Sequence, residues 1–166
     1  PTGDPPCRRE ARRLAGLLRR GWSWALDYVW IVVALAKGLI DWRVPAGYGR
    51  GSGRPILLLP GVYEDWTVLR RLADRLSSAG HPVHVLRELE RNTMGIVDGA
   101  RVAGDYLVAH DLRDVVIVAH SKGGLIGKQV LASEPAGARV LRIVAIATPF
   151  AGSRLAHLVP TPVVQS

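Results

Sequence analysis

Cysteine is almost missing from this chain: Cys7 is the single one in 166 residues. One cysteine excludes an intrachain disulfide and a cysteine-based metal cluster. It fits a reducing compartment, so a cytoplasmic location is favoured over a membrane-associated or secreted one. The five histidines show no zinc spacing either. His81 and His84 stand three apart on an expected strand and so face opposite sides, and His110 falls at a helix end. Neither a metal nor another cofactor is expected. Acids are also scarce, 14 against 22 Lys and Arg, for a formal charge of +8. Much of the excess sits at Arg8, Arg9, Arg12, Arg13, Arg19 and Arg20. A basic arm can meet nucleic acid or anionic lipid, but it is more often a solvated helix face. The aromatic-plus-basic pattern of a nucleic-acid module is absent, so no nucleic-acid partner is expected.

Long apolar runs are lacking too. The uncharged stretch between Asp27 and Lys37 is only Tyr28–Ala36, well short of the roughly 20 residues of a membrane span. No small-x-small cleavage site follows an uninterrupted apolar region. Around that stretch, Leu14, Leu18, Trp22, Ala25, Val29, Val33, Ala36 and Ile40 recur every three or four residues. This is helical periodicity, and it predicts an amphipathic helix packed on the domain. The arginines with Trp22, Trp24 and Trp30 leave peripheral membrane contact through residues 14–40 as the alternative.

With 48% hydrophobic and 22% charged residues, the chain has the composition of one globular domain with a sizeable core. Residues 1–52 read as a basic, apolar helical segment and a Gly-rich connector, within the loop Gly47–Gly53 that leads into the core. That connector precedes a strand, whereas a dinucleotide fingerprint follows one. Residues 53–166 read as the core. Strands are expected at Ile56–Leu59, His81–Leu86, Val115–Ala119 and Val140–Ala147. Helical stripes lie between them: Trp66–Leu76, Ile96–Val108, and Gly124 to about Ala132. The stretch Arg87–Gly95 reads as a polar loop. Strict alternation of strand and helix builds a parallel sheet with helices on both faces.

The stretch that carries chemistry is Val115–Leu125, VVIVAHSKGGL. Five apolar residues without alternation suit a strand buried on both faces. They end at a serine flanked by small residues, and a helix follows. This is the nucleophile-elbow pattern, in which a sharp turn strains the serine backbone and lifts its hydroxyl above the sheet. Ala119 and Gly123 are small because neighbouring backbone passes close by.

Together with ILLLPGVYE (Ile56–Glu64) and IVAIATPFAGS (Ile143–Ser153), this stretch resembles the α/β-hydrolase superfamily, particularly its lipase and esterase branch. The likeness spans roughly Arg54–Leu155. It implies an α/β fold, the N-terminal part of a parallel-sheet hydrolase core preceded by the amphipathic helix. It implies a Ser121 acyl-enzyme, with an acyl ester or lipid-like substrate. The oxyanion donors would be the backbone N–H groups of Lys122 and Val62. Pro60 replaces the usual histidine of that turn, and Ala119 the usual glycine of the elbow. The Lys122 side chain is expected at the solvent or rim, and His120 along the cleft.

In this superfamily the order is serine, acid, histidine. Downstream of Ser121 stand one acid, Glu134, at the far end of the following helix, and one histidine, His157. His157 is thus the possible base, and no triad acid is identifiable. The expectation is a chain that is part of a longer hydrolase. The alternative is a hydrolase-like binding domain without a complete triad.

Overall fold

The computed structural model describes residues 43–152. The expected helix over residues 14–40, Cys7 and His157 lie outside the described residues. Four strands form one parallel sheet: β1 (Ile56–Leu59), β2 (Val83–Val85), β3 (Val115–His120) and β4 (Val140–Ile146), in spatial order β2-β1-β3-β4. The connecting α-helices are α1 (Arg70–Ser78), α2 (Ile96–Ala109) and α3 (Lys122–Leu131).

The apolar runs work as an all-parallel sheet requires, with both faces covered. Leu57, Leu59, Ile117 and Ala119 point to one face, where they meet Ala100, Ala103 and Leu107 of α2 and Ile126 and Val130 of α3. Ile56, Leu58 and Val118 point to the other, against Leu69 and Ala73 from the α1 side. Tyr48 joins that second cluster and donates its hydroxyl hydrogen bond to Asp74 at 2.6 Å. The stretch read as a connector is therefore tied to the core at Tyr48.

Three expected boundaries shift for local reasons. β2 is shorter than His81–Leu86 because Pro82 has no N–H to give to a ladder. His81 lies outside it, with its Nδ1 3.0 Å from the Arg54 carbonyl. β4 stops at Ile146, since Ala147 takes a positive φ of 49° that no strand can continue. The polar stretch after β2 contains a 3₁₀ helix, Arg87–Asn92, with Leu89 and Asn92 fully buried. A further 3₁₀ turn, Trp66–Leu69, leads into α1 and is capped by Asp65, whose Oδ1 accepts from Thr67 N–H at 2.8 Å.

From β1 the chain crosses to β2 on one side, while from β3 it crosses to β4 on the other. The crossover helices α1 and α3 lie on opposite faces. The sheet therefore has a topological switch point between β1 and β3, and in open α/β sheets a crevice opens there, outside the C-terminal strand ends. Among the described residues no helix is long and apolar enough to cross a membrane.

Burial separates two apolar positions on neighbouring strands. Ile117 is fully buried, while Val144 is 45% exposed. Ile117→Ala should lower unfolding free energy by about 2–5 kcal/mol, and Val144→Ala by no more than about 0.5 kcal/mol. Urea unfolding followed by circular dichroism checks both. Equal effects would contradict the placement of the core.

Candidate active site

Ser121 follows the last residue of β3 and caps α3 with φ 49° and ψ −121°. A non-glycine residue there is strained, by an amount on the order of 1–3 kcal/mol, and holds only where its surroundings over-determine it. Its N–H donates to the Ile146 carbonyl at 2.9 Å, and its own carbonyl accepts from Gly124 N–H at 3.1 Å. The next turn passes so close to β1 that a Cβ on Gly123 would lie 2.2 Å from the Leu59 oxygen and 2.8 Å from that of Pro60. Only glycine fits. Ala119, paired with Leu59, is fully buried. Lys122 is the first residue of α3, so its N–H has no acceptor within the helix and lies at the positive end of the helix dipole.

The turn after β1 reaches the same place. A methyl group on Gly61 would stand 3.1 Å from Ser121 Cβ, so Gly61 borders the serine. Backbone strain clusters on this edge of the sheet. Tyr63 after β1, Arg91 and Asn92 after β2, Ser121 after β3 and Ala147 after β4 all have positive φ.

Two polar networks bind these exits together. In the first, Glu64 Oε2 accepts from Gly61 N–H at 2.8 Å and lies 2.8 Å from His120 Nδ1. The hydrogen bond to Glu64 raises the pKa of the His120 ring, against the opposing effect of burial. His120 was expected merely to line the cleft, and the structure pairs it with a carboxylate.

The second network corrects the expectation for the Lys122 side chain. It is not at the rim but 6% exposed. Its ammonium donates to the Asn92 carbonyl at 2.9 Å and to that of Met94. Asn92 Nδ2 donates in turn to the Pro60 carbonyl at 2.7 Å, and Tyr63 N–H to the Arg91 carbonyl at 2.6 Å. The aliphatic stem of Lys122 makes burial tolerable, and two carbonyl acceptors replace water for its charge. Burial pushes its pKa down to about 8. Sequence reading missed Glu64, Asn92 and this role of Lys122. The available signal was Asn92 itself, a residue type favoured at positive φ inside an otherwise charged stretch.

Other predicted residues lie apart. Glu134 follows the C-terminal end of α3, about 15 Å along the helix from Ser121. His84 Nδ1 is 3.1 Å from the Tyr106 hydroxyl, and His110 stacks on that same tyrosine. Among the described residues, no group of three His, Cys, Asp or Glu is placed to hold a metal ion.

No family model matches the chain, and no curated protein matches it in sequence. Solved structures do match. An extracellular α/β-hydrolase from a Paenibacillus species superposes with a TM-score of 0.52 at 23% identity, covering 66% of this chain and 47% of its own. The mature lipase BlEst2 of Bacillus licheniformis gives a TM-score of 0.52 at 21% identity, covering 66% and 45%. The chain has the α/β-hydrolase fold. Est816, described as an N-acyl homoserine lactone degrading enzyme, matches this hydrolase core with a TM-score of 0.52 at 21% identity, covering 67% and 43%. The chain spans less than half the length of each of these hydrolases.

The Lys122 tie makes a stability prediction with a definite sign. Lys122→Met leaves the Asn92 and Met94 carbonyls without their donor, and at pH 7 should cost about 1–3 kcal/mol. Because the folded-state pKa of about 8 lies below the ordinary lysine value of 10.5, the unfolded chain holds this proton longer. The lysine's contribution therefore improves as pH rises from about 8 toward 10.5. The gap between wild type and Lys122→Met should widen over that window, by at most ~1.4 kcal/mol per pH unit. A gap that narrows in urea unfolding at pH 7, 8.5 and 10 would refute the buried charge.

Proposed function

We propose that Ser121 is the nucleophile of a serine hydrolase of the lipase/esterase class. The observation that carries this reading is the strained Ser121 backbone at the switch point, with Gly61 of the turn after β1 beside it. In this reading Ser121 Oγ attacks the carbonyl carbon of an acyl ester. The oxygen that gains charge is met by the backbone N–H groups of Lys122 and Val62, donors fixed before the reaction begins. Collapse of the tetrahedral adduct expels the alcohol and leaves an ester on Ser121, which water then hydrolyses. A histidine must take the Oγ proton, and His157 is the one the sequence offers after the nucleophile. The lipase and the lactone-degrading enzyme among the similar structures support an acyl-bearing small molecule or lipid-like ester as substrate.

One observation favours a second reading, a hydrolase-like binding domain. Among the described residues after Ser121, Glu134 is the one carboxylate, and it lies beyond the far end of α3.

A fluorophosphonate probe separates the two. Wild type should be labelled, and Ser121→Ala should lose labelling by ~10³-fold or more. A folded wild-type chain that takes no label would show that Ser121 is not activated within these residues, and would favour the binding-domain reading of this chain.

A further inference from the structure

We propose that Glu64 is the positioning residue of the oxyanion turn, tying the exit of β1 to the last residue of β3 and thereby setting the direction of the Val62 N–H. This rests on the reading of Val62 and Ser121 just given. Glu64 holds Gly61 by both of its polar backbone groups. Its Oε2 accepts the Gly61 N–H at 2.8 Å, while its own N–H donates to the Gly61 carbonyl at 3.2 Å.

The second of these bonds joins backbone groups and orients the donor, while the first, made by the carboxylate, holds the turn in which that backbone bond forms. The peptide linking Gly61 to Val62 is planar and trans, so its N–H lies anti to its C=O. With the Gly61 carbonyl drawn to Glu64, the Val62 N–H must point to the opposite side of the peptide plane. Its direction is fixed by the backbone N–H two positions later, and the Glu64 carboxylate keeps that turn closed by holding Gly61 N–H.

The same carboxylate oxygen reaches across the sheet. It lies 2.8 Å from His120 Nδ1, on the residue immediately before Ser121. A methyl group on Gly61 would meet Glu64 Oε2 at 2.7 Å and Ser121 Cβ at 3.1 Å, so the turn is wedged between carboxylate and nucleophile. Carboxylate acceptors make bonds roughly twice as strong as neutral ones. The other ties on this turn, from Asn92 to the Pro60 carbonyl and from Tyr63 to the Arg91 carbonyl, hold neither Gly61 nor His120.

The test compares the full chain with Glu64→Gln and Glu64→Ala. Glutamine keeps an oxygen that can accept from both Gly61 N–H and the histidine, whereas alanine removes it. In ¹H–¹⁵N spectra, Glu64→Ala should shift the Gly61 and Val62 amide resonances and speed Gly61 hydrogen exchange by ~10- to 100-fold. Glu64→Gln should stay within ~3-fold of wild type. Phosphonate labelling should slow by ~10²-fold in Glu64→Ala and be largely restored in Glu64→Gln. If Glu64→Ala does not fold, Glu64→Asp, with its oxygen withdrawn by one methylene, takes its place under the same criteria.

Unchanged Gly61 and Val62 amides in the alanine variant would overturn the proposal. So would shifted amides with labelling at the wild-type rate, since the turn would then not position a donor. A folded wild-type chain that takes no label counts instead against an activated Ser121 within these residues, and with it against the catalytic part of this proposal. The amide comparison still decides whether Glu64 orients the turn.

Discussion

The first turn of α3 lies against the Leu59 carbonyl at the end of β1, closer than any side chain would allow. Much of the edge above the sheet depends on that contact. It lets the chain turn from β3 into α3 within a single residue, which forces Ser121 out of the ordinary backbone basins. It also brings the Pro60–Glu64 turn against the serine, because that turn begins where the contact is made. The contact is possible because Leu59 pairs with Ala119 and Gly123 carries no side chain. Smallness at two positions is thus converted into strain at a third.

The polar groups around this contact follow one logic. Burying an ammonium or a carboxylate is unfavourable unless its hydrogen-bonding capacity is met. Here the partners come from the turn after β1 and from the end of the 3₁₀ helix after β2, where backbone groups stand outside any ladder and need acceptors or donors of their own. Lys122 meets two such carbonyls, Asn92 meets one, and Glu64 meets an N–H. Each charge therefore serves the backbone as much as the backbone serves the charge. This is a direct reason for finding a buried lysine next to a strained serine.

How much of this could be read from the sequence follows from the range of each interaction. The β3 run, the small residues around Ser121 and the strand–helix alternation are local patterns, and they led to the parallel hydrolase core. The likeness of the Ile56–Glu64 segment brought Val62 into consideration. What stayed hidden was set by tertiary partners. Nothing local in His-Ser-Lys-Gly says that the lysine stem will dive under the 3₁₀ helix after β2, since a lysine at the start of a helix usually faces water. The charged run Arg87-Glu88-Leu89-Glu90-Arg91 and the Asn92 after it hid two fully buried positions, Leu89 and Asn92. Glu64 lay inside a matched segment, yet its role arises from His120, 56 positions away.

That separation bears on how the site comes into being. Glu64 and His120 stand 56 residues apart, with the α1–β2–α2–β3 path between them. Contacts that close such long loops carry a large entropic cost and form slowly. Until β1 and β3 are side by side, Gly123 has no carbonyl to press against, and nothing holds Ser121 in its unfavourable backbone geometry. The serine in a newly made or partly unfolded chain is then an ordinary hydroxyl. Its reactive posture belongs to the assembled sheet and vanishes with it.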